Sequence, residues 1–306
     1  MPRAIRFDHY GHRDVLYVAE VEMPVPAADE VVVEVRAAAI NPGEVNIREG
    51  FLDDRWPASF PSGQGTDLAG VVSAVGDEVT SWKVGDEVLG WSWTRSSQAE
   101  YAAVPAEQLV AKPAELSWEV AGSLNVAGCT AWAAVEAVGA GPGDIVAVSA
   151  AAGGVGVFTV QLLAHKGARV LGIASQENHE WLRAHAAEPV AYGDGLAERL
   201  RAAVPGTISA FIDLFGPQYL DLAVELGVEP ERIDTIISWD RAAQIGAKTE
   251  GSASGTNTEV MTELARLAAG GQLQVPIAAT YPLEGVQDAF AELEKRHTRG
   301  KIVLVP

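Results

Sequence analysis

Cysteine is nearly absent from this chain of 306 residues, because Cys129 is its only cysteine. A single cysteine excludes an internal disulfide, and it also excludes the thiolate clusters that bind structural zinc. A lone cysteine in an apolar segment usually behaves as a small hydrophobic residue, and we expect Cys129 to be buried in that role.

Basic residues are also scarce: 22 lysines and arginines stand against 41 aspartates and glutamates, which gives a net charge of −19. Such a surface repels phosphate backbones and anionic lipids, so nucleic acid and membrane surfaces are not expected partners. No apolar run approaches the roughly 20 residues needed to span a bilayer. The N-terminal segment MPRAIRFDHY lacks the apolar stretch of a secretory signal, and we therefore predict a cytoplasmic protein.

Two textures of sequence predict two kinds of domain. Residues 1–122 consist of short alternating runs punctuated by glycine and proline, which is typical of a β-rich domain. From Asp144 onward, apolar runs of strand length alternate with helical stretches, and this pattern predicts a parallel sheet with right-handed crossovers. The end of the chain returns to the first texture. The sequence therefore predicts an α/β protein.

The strongest local motif is DIVAVSAAAGGVG, in which a strand that begins at Asp144 runs into a glycine-rich turn and a helix. The turn matches the dinucleotide fingerprint, with alanine replacing the first glycine, and lets the backbone approach a pyrophosphate at the helix N-terminus. The alternative is a turn that serves only tight helix–sheet packing. The strand–turn–helix context favours a nicotinamide dinucleotide site. Its predicted binding residues are Ala151, Gly153, Gly154, Val155 and Gly156.

The end of the second strand, where Ala174 is followed by Ser175, bears on the choice between NADH and NADPH. Enzymes that use NADH usually carry an acidic residue there, which holds the ribose 2′-hydroxyl. Ser175 is neutral, Asn178 can donate a hydrogen bond to a 2′-phosphate, and His179 can add positive charge. Glu177 counts against a phosphate, and Ser175 and Asn178 have the alternative role of helix caps. The sequence favours NADPH as cofactor.

Further motifs follow in an order that covers nearly the whole chain. They are AAAINPGEVNIREG at 37–50, GTDLAGVVSAVGDEVTSWKVGDEVLG at 65–90, AEYAAVPAEQLVAKP at 99–113, LNVAGCTAWAAV at 124–135 and the final GKIVLVP. Together with the glycine-rich turn, they resemble the zinc-independent quinone oxidoreductase branch of the medium-chain dehydrogenase/reductase superfamily. The resemblance implies a GroES-like β-rich catalytic domain formed by 1–122 and 267–306, and a Rossmann domain, a doubly wound parallel sheet, formed by 123–266.

Two positions separate this chain from the zinc-dependent relatives. Those relatives have a cysteine where Asn41 stands, and Gly-His-Glu where this chain has Gly65-Thr66-Asp67. Because neither the cysteine nor the histidine is present, we predict no metal. Without a metal, a simple hydride acceptor is a carbon made electrophilic by conjugation, as in quinones, enones and enals. The predicted activity is hydride transfer from NADPH to such a conjugated carbonyl.

The resemblance also implies roles for individual residues. Asn41 is expected near the nicotinamide or the substrate carbonyl, with Asn46 and Gln64 lining the pocket, and Thr130 near the nicotinamide carboxamide. Quinone reductases often have tyrosine where Asn46 stands, so quinone itself stays open as the natural acceptor. Alternatively, Asn41 shapes a turn before Pro42, and Thr130 bonds to its own helix backbone. The predicted cofactor site is completed by Tyr192, Phe215 and Ser238.

Two other functions and the oligomeric state stay open at this point. An enoyl-thioester reductase of the same superfamily would need a basic surface for a carrier phosphate, which the net charge disfavours. A non-catalytic NADPH-binding protein would keep the fold in a sensing or structural role. The strand-like segment Ala247–Ala253 would lie at the edge of the parallel sheet. Because exposed edges are usually covered or paired, and relatives commonly pair this edge, we predict a homodimer.

Overall fold

The computed structural model describes residues 1–306 as a mixed chain of strands and helices. In chain order, the strands are β1 (Arg3–Phe7), β2 (Tyr17–Glu20), β3 (Glu30–Ala39), β4 (Ser62–Gly63), β5 (Asp67–Val75), β6 (Glu87–Trp91), β7 (Tyr101–Pro105), β8 (Leu109–Ala111), β9 (Ile145–Val148), β10 (Arg169–Ala174), β11 (Ala187–Ala191), β12 (Ala210–Asp213), β13 (Ile233–Thr235), β14 (Ile277–Tyr281) and β15 (Lys301–Leu304).

The α-helices are mostly short. They are α1 (Pro42–Arg48), α2 (Trp118–Ala121), α3 (Thr130–Ala137), α4 (Gly156–His165), α5 (His179–Ala184), α6 (Leu196–Ala203), α7 (Gln218–Glu225), α8 (Trp239–Ile245), α9 (Ser252–Gly255), α10 (Thr258–Ala269) and α11 (Val286–Glu294). A π-helical turn, Asn125–Cys129, precedes α3. None of the helices has both the length and the apolar character that a membrane crossing requires.

The chain divides into two compact units. The first consists of Met1–Val126, Asn257–Gly271 and Pro276–Pro306, and the second of Ala127–Thr256 and Gln272–Val275. The first unit therefore resumes at the N-cap of α10, whereas the sequence-based boundary was set at 267, inside that helix. A helix of this kind belongs as a whole to the unit that buries its apolar face, and α10 buries Val260, Leu264 and Leu267, among others.

Two sheets, antiparallel except for the parallel pair of β14 and β15, build most of the first unit. One has the order β2-β1-β4, and the other runs β14-β15-β3-β5-β6-β8, with β7 also pairing with β3. Strand β3 lies between β5 and β7, and its run EVVVEVRAAA is accordingly buried along most of its length. Strand β15 pairs with the end of β3, with Leu304 opposite Ala38, so Lys301 lies in a strand beside the chain that leads to Asn41.

The second unit is built on a five-stranded parallel sheet in the order β11-β10-β9-β12-β13. The central strands β9 and β12 read IVAV and AFID and are almost entirely buried, as expected for strands covered by helices on both faces. The direction of strand order reverses between β9 and β12, which makes this the switch point of a doubly wound sheet. The predicted fold class, a GroES-like β-rich part with a Rossmann-type sheet, is confirmed.

The strand predicted at Ala247–Ala253 is wrong. Only Lys248 pairs, as a single bridge to Asp234, with its amide donating to Ile233 at 2.9 Å. The carboxylate of Asp234 then accepts a hydrogen bond from the Glu250 amide at 2.8 Å, which replaces further backbone pairing, and the chain turns into α9. The sequence argument for a dimer that pairs a regular strand in this segment therefore fails, and the homodimer stays a prediction.

Candidate active site and cofactor site

The glycine-rich turn between β9 and α4 has the geometry that a dinucleotide needs. A Cβ atom on Gly156, the first residue of α4, would lie only 2.2 Å from the Ala150 carbonyl oxygen, so no larger residue fits there. The amide of Ala151 donates to the Ile173 carbonyl at 3.1 Å and ties the turn to β10. The tight turn leaves backbone amides at the helix N-terminus, where a pyrophosphate binds in Rossmann sheets. The residues present thus fit the cofactor.

The residues predicted to bind the cofactor all lie in the second unit, and most follow the carboxyl ends of its parallel strands. Because these ends share one edge of the sheet, the structure brings them to the same side. By strand, they are Ala151, Gly153, Gly154, Val155 and Gly156 after β9, Ser175, Asn178 and His179 after β10, Tyr192 after β11, Phe215 after β12 and Ser238 after β13, while Thr130 is the first residue of α3.

The segment after β10 contains a short hydrogen-bond chain. Asn178 Nδ2 donates to Ser175 Oγ at 2.9 Å, and that hydroxyl donates to Glu177 Oε1 at 3.0 Å. The carboxylate of Glu177 therefore accepts a hydrogen bond from Ser175, the neutral residue on which the NADPH prediction is based. His179 Nε2 is buried without a hydrogen-bond partner. The roles of Ser175, Asn178 and His179 in binding a 2′-group stay predictions.

The buried carboxylate of Asp213, at the end of β12, links the loops that carry Phe215 and Ser238, two residues predicted to bind the cofactor. Asp213 is fully buried, and its Oδ1 accepts hydrogen bonds from Ser149 Oγ and from the amides of Phe215 and Gly216. Sequence reasoning missed Asp213. The available signal was an acidic residue directly after the apolar run Ala-Phe-Ile at the carboxyl end of a parallel strand.

In the first unit, Asn41 is part of a buried polar cluster, the Asn41 network, formed with Glu44, Asp67, Gln98 and Lys301. Asn41 follows β3 and is the N-cap of α1. Its amide nitrogen donates to Asp67 Oδ2 at 3.1 Å and to Glu44 Oε1 at 3.3 Å, while its carbonyl oxygen accepts from Lys301 Nζ at 2.6 Å. Gln98 Nε2 donates to the other oxygen of Glu44 at 2.9 Å. All five side chains are at most 5% exposed.

Burial changes the proton affinities in the Asn41 network. It raises the pKa of Glu44 to about 7, and the neighbouring carboxylate of Asp67 adds to this shift. Burial also raises the pKa of Asp67, although the ammonium of Lys301 opposes it, and burial lowers the pKa of Lys301. Near neutral pH, the network therefore contains one carboxylic group poised between its two protonation states.

The network defines what Asn41 can offer to a substrate. Both hydrogens of its amide already have carboxylate partners, so Asn41 can donate to a substrate oxygen only by sharing one of them. Asn46 lies on α1 and is partly exposed, and Gln64 is buried with its Nε2 unpartnered. Asn41, Asn46 and Gln64 thus belong to the same unit, but only Asn41 has its side chain fixed by described hydrogen bonds.

The residues at this site do not fit a catalytic zinc. No group of three or more His, Cys, Asp or Glu side chains in residues 1–306 could hold a metal ion. Lys301 places an ammonium against the side chain of Asn41, at the position where zinc-dependent relatives have a cysteine ligand. A cation bound there would be repelled by this ammonium. No step of the reaction is therefore assigned to a metal.

Comparisons with known proteins agree with the fold. Residues 27–114 match the alcohol dehydrogenase GroES-like domain, and residues 184–304 match the family described as zinc-binding dehydrogenase. Quinone oxidoreductase 1 of Escherichia coli (strain K12) is 30% identical to this chain over 338 residues, and the match covers 100% of both proteins.

Two solved structures are similar along their whole length. The quinone oxidoreductase from Coxiella burnetii has a TM-score of 0.88 and 29% identity, with 100% of this chain and 99% of that chain covered. The Escherichia coli quinone oxidoreductase, solved as a complex with NADPH, has a TM-score of 0.86 and 27% identity, with 99% and 100% covered.

The predicted family is thereby confirmed, and a nicotinamide cofactor agrees with both the turn and the relatives. The zinc-binding description of one matching family does not extend to the side chains found here. The chain is an oxidoreductase, and it belongs to the quinone oxidoreductase branch of the medium-chain dehydrogenase/reductase superfamily.

Proposed function

We propose that the protein reduces a conjugated carbonyl compound, such as a quinone, enone or enal, with NADPH and without a catalytic metal. The observation that carries this proposal is the Asn41 network. It supplies hydrogen-bond donors and a buried ammonium at the position where zinc-dependent relatives bind their metal. A conjugated acceptor needs only positioning and a polar contact to its carbonyl, which a protein of this kind can supply.

Asn41 is the proposed contact to the substrate carbonyl. During hydride transfer, negative charge grows on the carbonyl oxygen, and an amide N–H aimed at it stabilises this charge. The N–H directed at Glu44 has the longer contact, 3.3 Å against 3.1 Å to Asp67, and is the one more easily shared. Because the pKa of Glu44 is about 7, protonation near neutral pH weakens its competition for this hydrogen.

Lys301 strengthens Asn41 as a donor. Its ammonium lies 2.6 Å from the carbonyl oxygen of Asn41 and polarises the amide, which makes the N–H groups more positive. Both side chains are at most 3% exposed, so water screens this effect little. In this proposal Asn46 and Gln64 line the substrate pocket, and Asn46, which replaces a tyrosine of many quinone reductases, leaves room for acceptors other than quinone.

NADPH supplies the hydride when it is bound, and the residues proposed to hold it follow the strands of the second unit. Ser175 and Asn178 present a hydroxyl and an amide after β10, which suits a 2′-phosphate. Glu177 opposes a phosphate because its carboxylate accepts from Ser175 at 3.0 Å. The preference for NADPH therefore depends on the Glu177 side chain turning outward into solvent when the cofactor binds.

The test is a substrate panel. Oxidation of NADPH and of NADH is followed by absorbance with quinones, enones, enals and enoyl thioesters, before and after dialysis against a strong chelator. We expect turnover with at least one conjugated carbonyl, unchanged by the chelator. Turnover confined to enoyl thioesters would assign the protein to that reductase class. Cofactor binding without turnover of any acceptor would support a non-catalytic NADPH-binding protein, and loss of activity with the chelator would contradict the metal-free mechanism.

A further inference from the structure

Asp213 accepts hydrogen bonds on both of its carboxyl oxygens. Besides the three donors to Oδ1, its Oδ2 accepts from Thr235 Oγ1 at 2.8 Å and from Ser238 Oγ at 3.0 Å. The donors come from the ends of three neighbouring strands, β9, β12 and β13. The Asp213 cluster consists of Asp213 with Ser149, Phe215, Gly216, Thr235 and Ser238.

The Asp213 cluster lies at the switch point of the sheet. Ser149 directly follows β9, and Asp213 ends β12, so their hydrogen bond of 2.9 Å joins the two strands between which the order reverses. In open parallel sheets, a dinucleotide binds across this point, at the carboxyl ends of the strands. The ribose of its adenosine half is held at the end of the second strand, which is β10 here. The cluster therefore lies on the opposite side of β9 from the adenosine half.

We propose that Asp213 is a positioning residue for the nicotinamide half of the cofactor. It fixes the backbone at Phe215 and the side chain of Ser238, and both residues follow strands on the far side of the switch point. This inference rests on the proposed function, because it requires a dinucleotide on the sheet. In this arrangement, one carboxylate sets the shape of the subsite for one half of the ligand.

Five hydrogen bonds converge on the two carboxyl oxygens of Asp213, and two of the donors, the amides of Phe215 and Gly216, have no acceptor capacity of their own. An asparagine at this position has one acceptor oxygen instead of two, so either the amides of Phe215 and Gly216 or the hydroxyls of Thr235 and Ser238 lose the acceptor that the aspartate gives them. The Thr235 hydroxyl oxygen already accepts from the Ser238 amide at 3.1 Å, so an NH2 group that faces it would disturb the loop that carries Ser238, because a buried donor without an acceptor is costly.

The experiment compares ligands that occupy different halves of the site. Dissociation constants of NADPH and of 2′,5′-ADP, and in parallel of NADH and 5′-AMP, are measured by titration calorimetry for the wild type and Asp213→Asn. We expect the dinucleotide to bind about tenfold more weakly to the variant, or worse, which corresponds to the loss of one buried polar contact. The adenosine fragments should bind within about twofold of the wild type, because their subsite lies at β10.

A matched control is available on the neighbouring strand. Asp234 is also fully buried, but its Oδ1 accepts from the Glu250 amide and its Oδ2 has no hydrogen-bond partner, so it accepts none of the five hydrogen bonds that hold the Asp213 cluster. Asp234→Asn should leave the ratio of dinucleotide to fragment affinity unchanged. Should Asp213→Asn fail to fold, Ser149→Ala removes the bond across the switch point, together with the bond that the Leu214 amide donates to Ser149 Oγ at 2.8 Å. It should shift the same ratio in the same direction, by about threefold.

The outcomes separate the inference from the function on which it rests. A wild type that binds both ligands, with an unchanged ratio in Asp213→Asn and Ser149→Ala, would overturn the positioning role and leave the proposed function intact. An equal shift in Asp234→Asn would also overturn it, because the effect would then be a general loss of sheet stability. A wild type that binds neither dinucleotide nor fragment would overturn both.

Discussion

Replacing Glu44 by glutamine should flatten the dependence of stability on pH. The pKa of Glu44 is raised from its ordinary value of 4.5 to about 7 in the folded chain, first by burial and then by the carboxylate of Asp67. A group whose folded pKa is raised contributes stability that is fully present below its unfolded pKa and is lost as pH rises through the folded pKa. The contribution of Glu44 should therefore disappear between about pH 4.5 and about pH 7.5.

The size of this effect follows from the shift. Each unit of pKa corresponds to about 1.4 kcal/mol, so the change for Glu44 from 4.5 to about 7 amounts to about 3.5 kcal/mol as an upper limit. Such a change is a large part of the free energy of unfolding of an ordinary domain. Glutamine keeps the length of the side chain and one acceptor for the donors Asn41 and Gln98 but cannot ionise, so the variant should lack this dependence.

The assay is urea unfolding of wild type and Glu44→Gln at several values between about pH 5 and about pH 8, compared as differences in unfolding free energy. Asp234 must be controlled in the same way, because burial raises its pKa to about 7 and its contribution has the same sign. Asp234→Asn should remove that part, and the double variant should be flattest. Equal slopes for wild type and Glu44→Gln would refute the assignment of a proton to Glu44 near neutral pH.

Three shorter predictions concern the proposed activity and assembly. Asn41→Ala should lower the single-turnover hydride-transfer rate by about a hundredfold with nearly unchanged NADPH affinity. If Asn41 only shapes the start of α1, the variant should instead have a lower melting temperature, and the hydride-transfer rate of its folded fraction should stay near that of the wild type. Glu177→Gln should tighten NADPH binding by about two- to fivefold without tightening NADH binding. The effect is small because solvent partly screens the repulsion between an exposed carboxylate and a phosphate. Equal changes for both cofactors would contradict a 2′-phosphate near Ser175. Sedimentation at micromolar concentration should show a homodimer, and a monomer alone would rule it out.

Local sequence patterns predicted the elements that are determined by residues close together in the sequence. The turn around Gly156 and its flanking strand and helix are encoded in one continuous stretch of sequence. The strand predicted at Ala247–Ala253 failed because its pairing depends on Asp234, a side chain from another strand, which takes the next amide. Periodicity in one segment contains no information about such a competitor.

The polar sites were harder to predict because their partners are far apart in sequence. Asn41 was found through its motif, yet Lys301, which fixes its orientation, lies 260 positions away. Asp213 likewise gathers donors from three strands, and no spacing rule connects Ser149 with Thr235 and Ser238. The motif therefore identified the position of Asn41, but not that both of its amide hydrogens are already engaged.

The order in which the chain is synthesised has a consequence for the first unit. Nearly all of the second unit, Ala127–Thr256, is one continuous segment and can fold as soon as it leaves the ribosome. Strand β3, by contrast, keeps an unpaired edge at Ala38 and Ala39 until β15 is made, more than 250 residues after it on the chain. Until Lys301 arrives, Asp67 and Glu44 also lack their only buried cation. The nascent protein thus passes through a stage with a folded sheet for the cofactor and an open, aggregation-prone edge, which is the stage at which a chaperone would have to act.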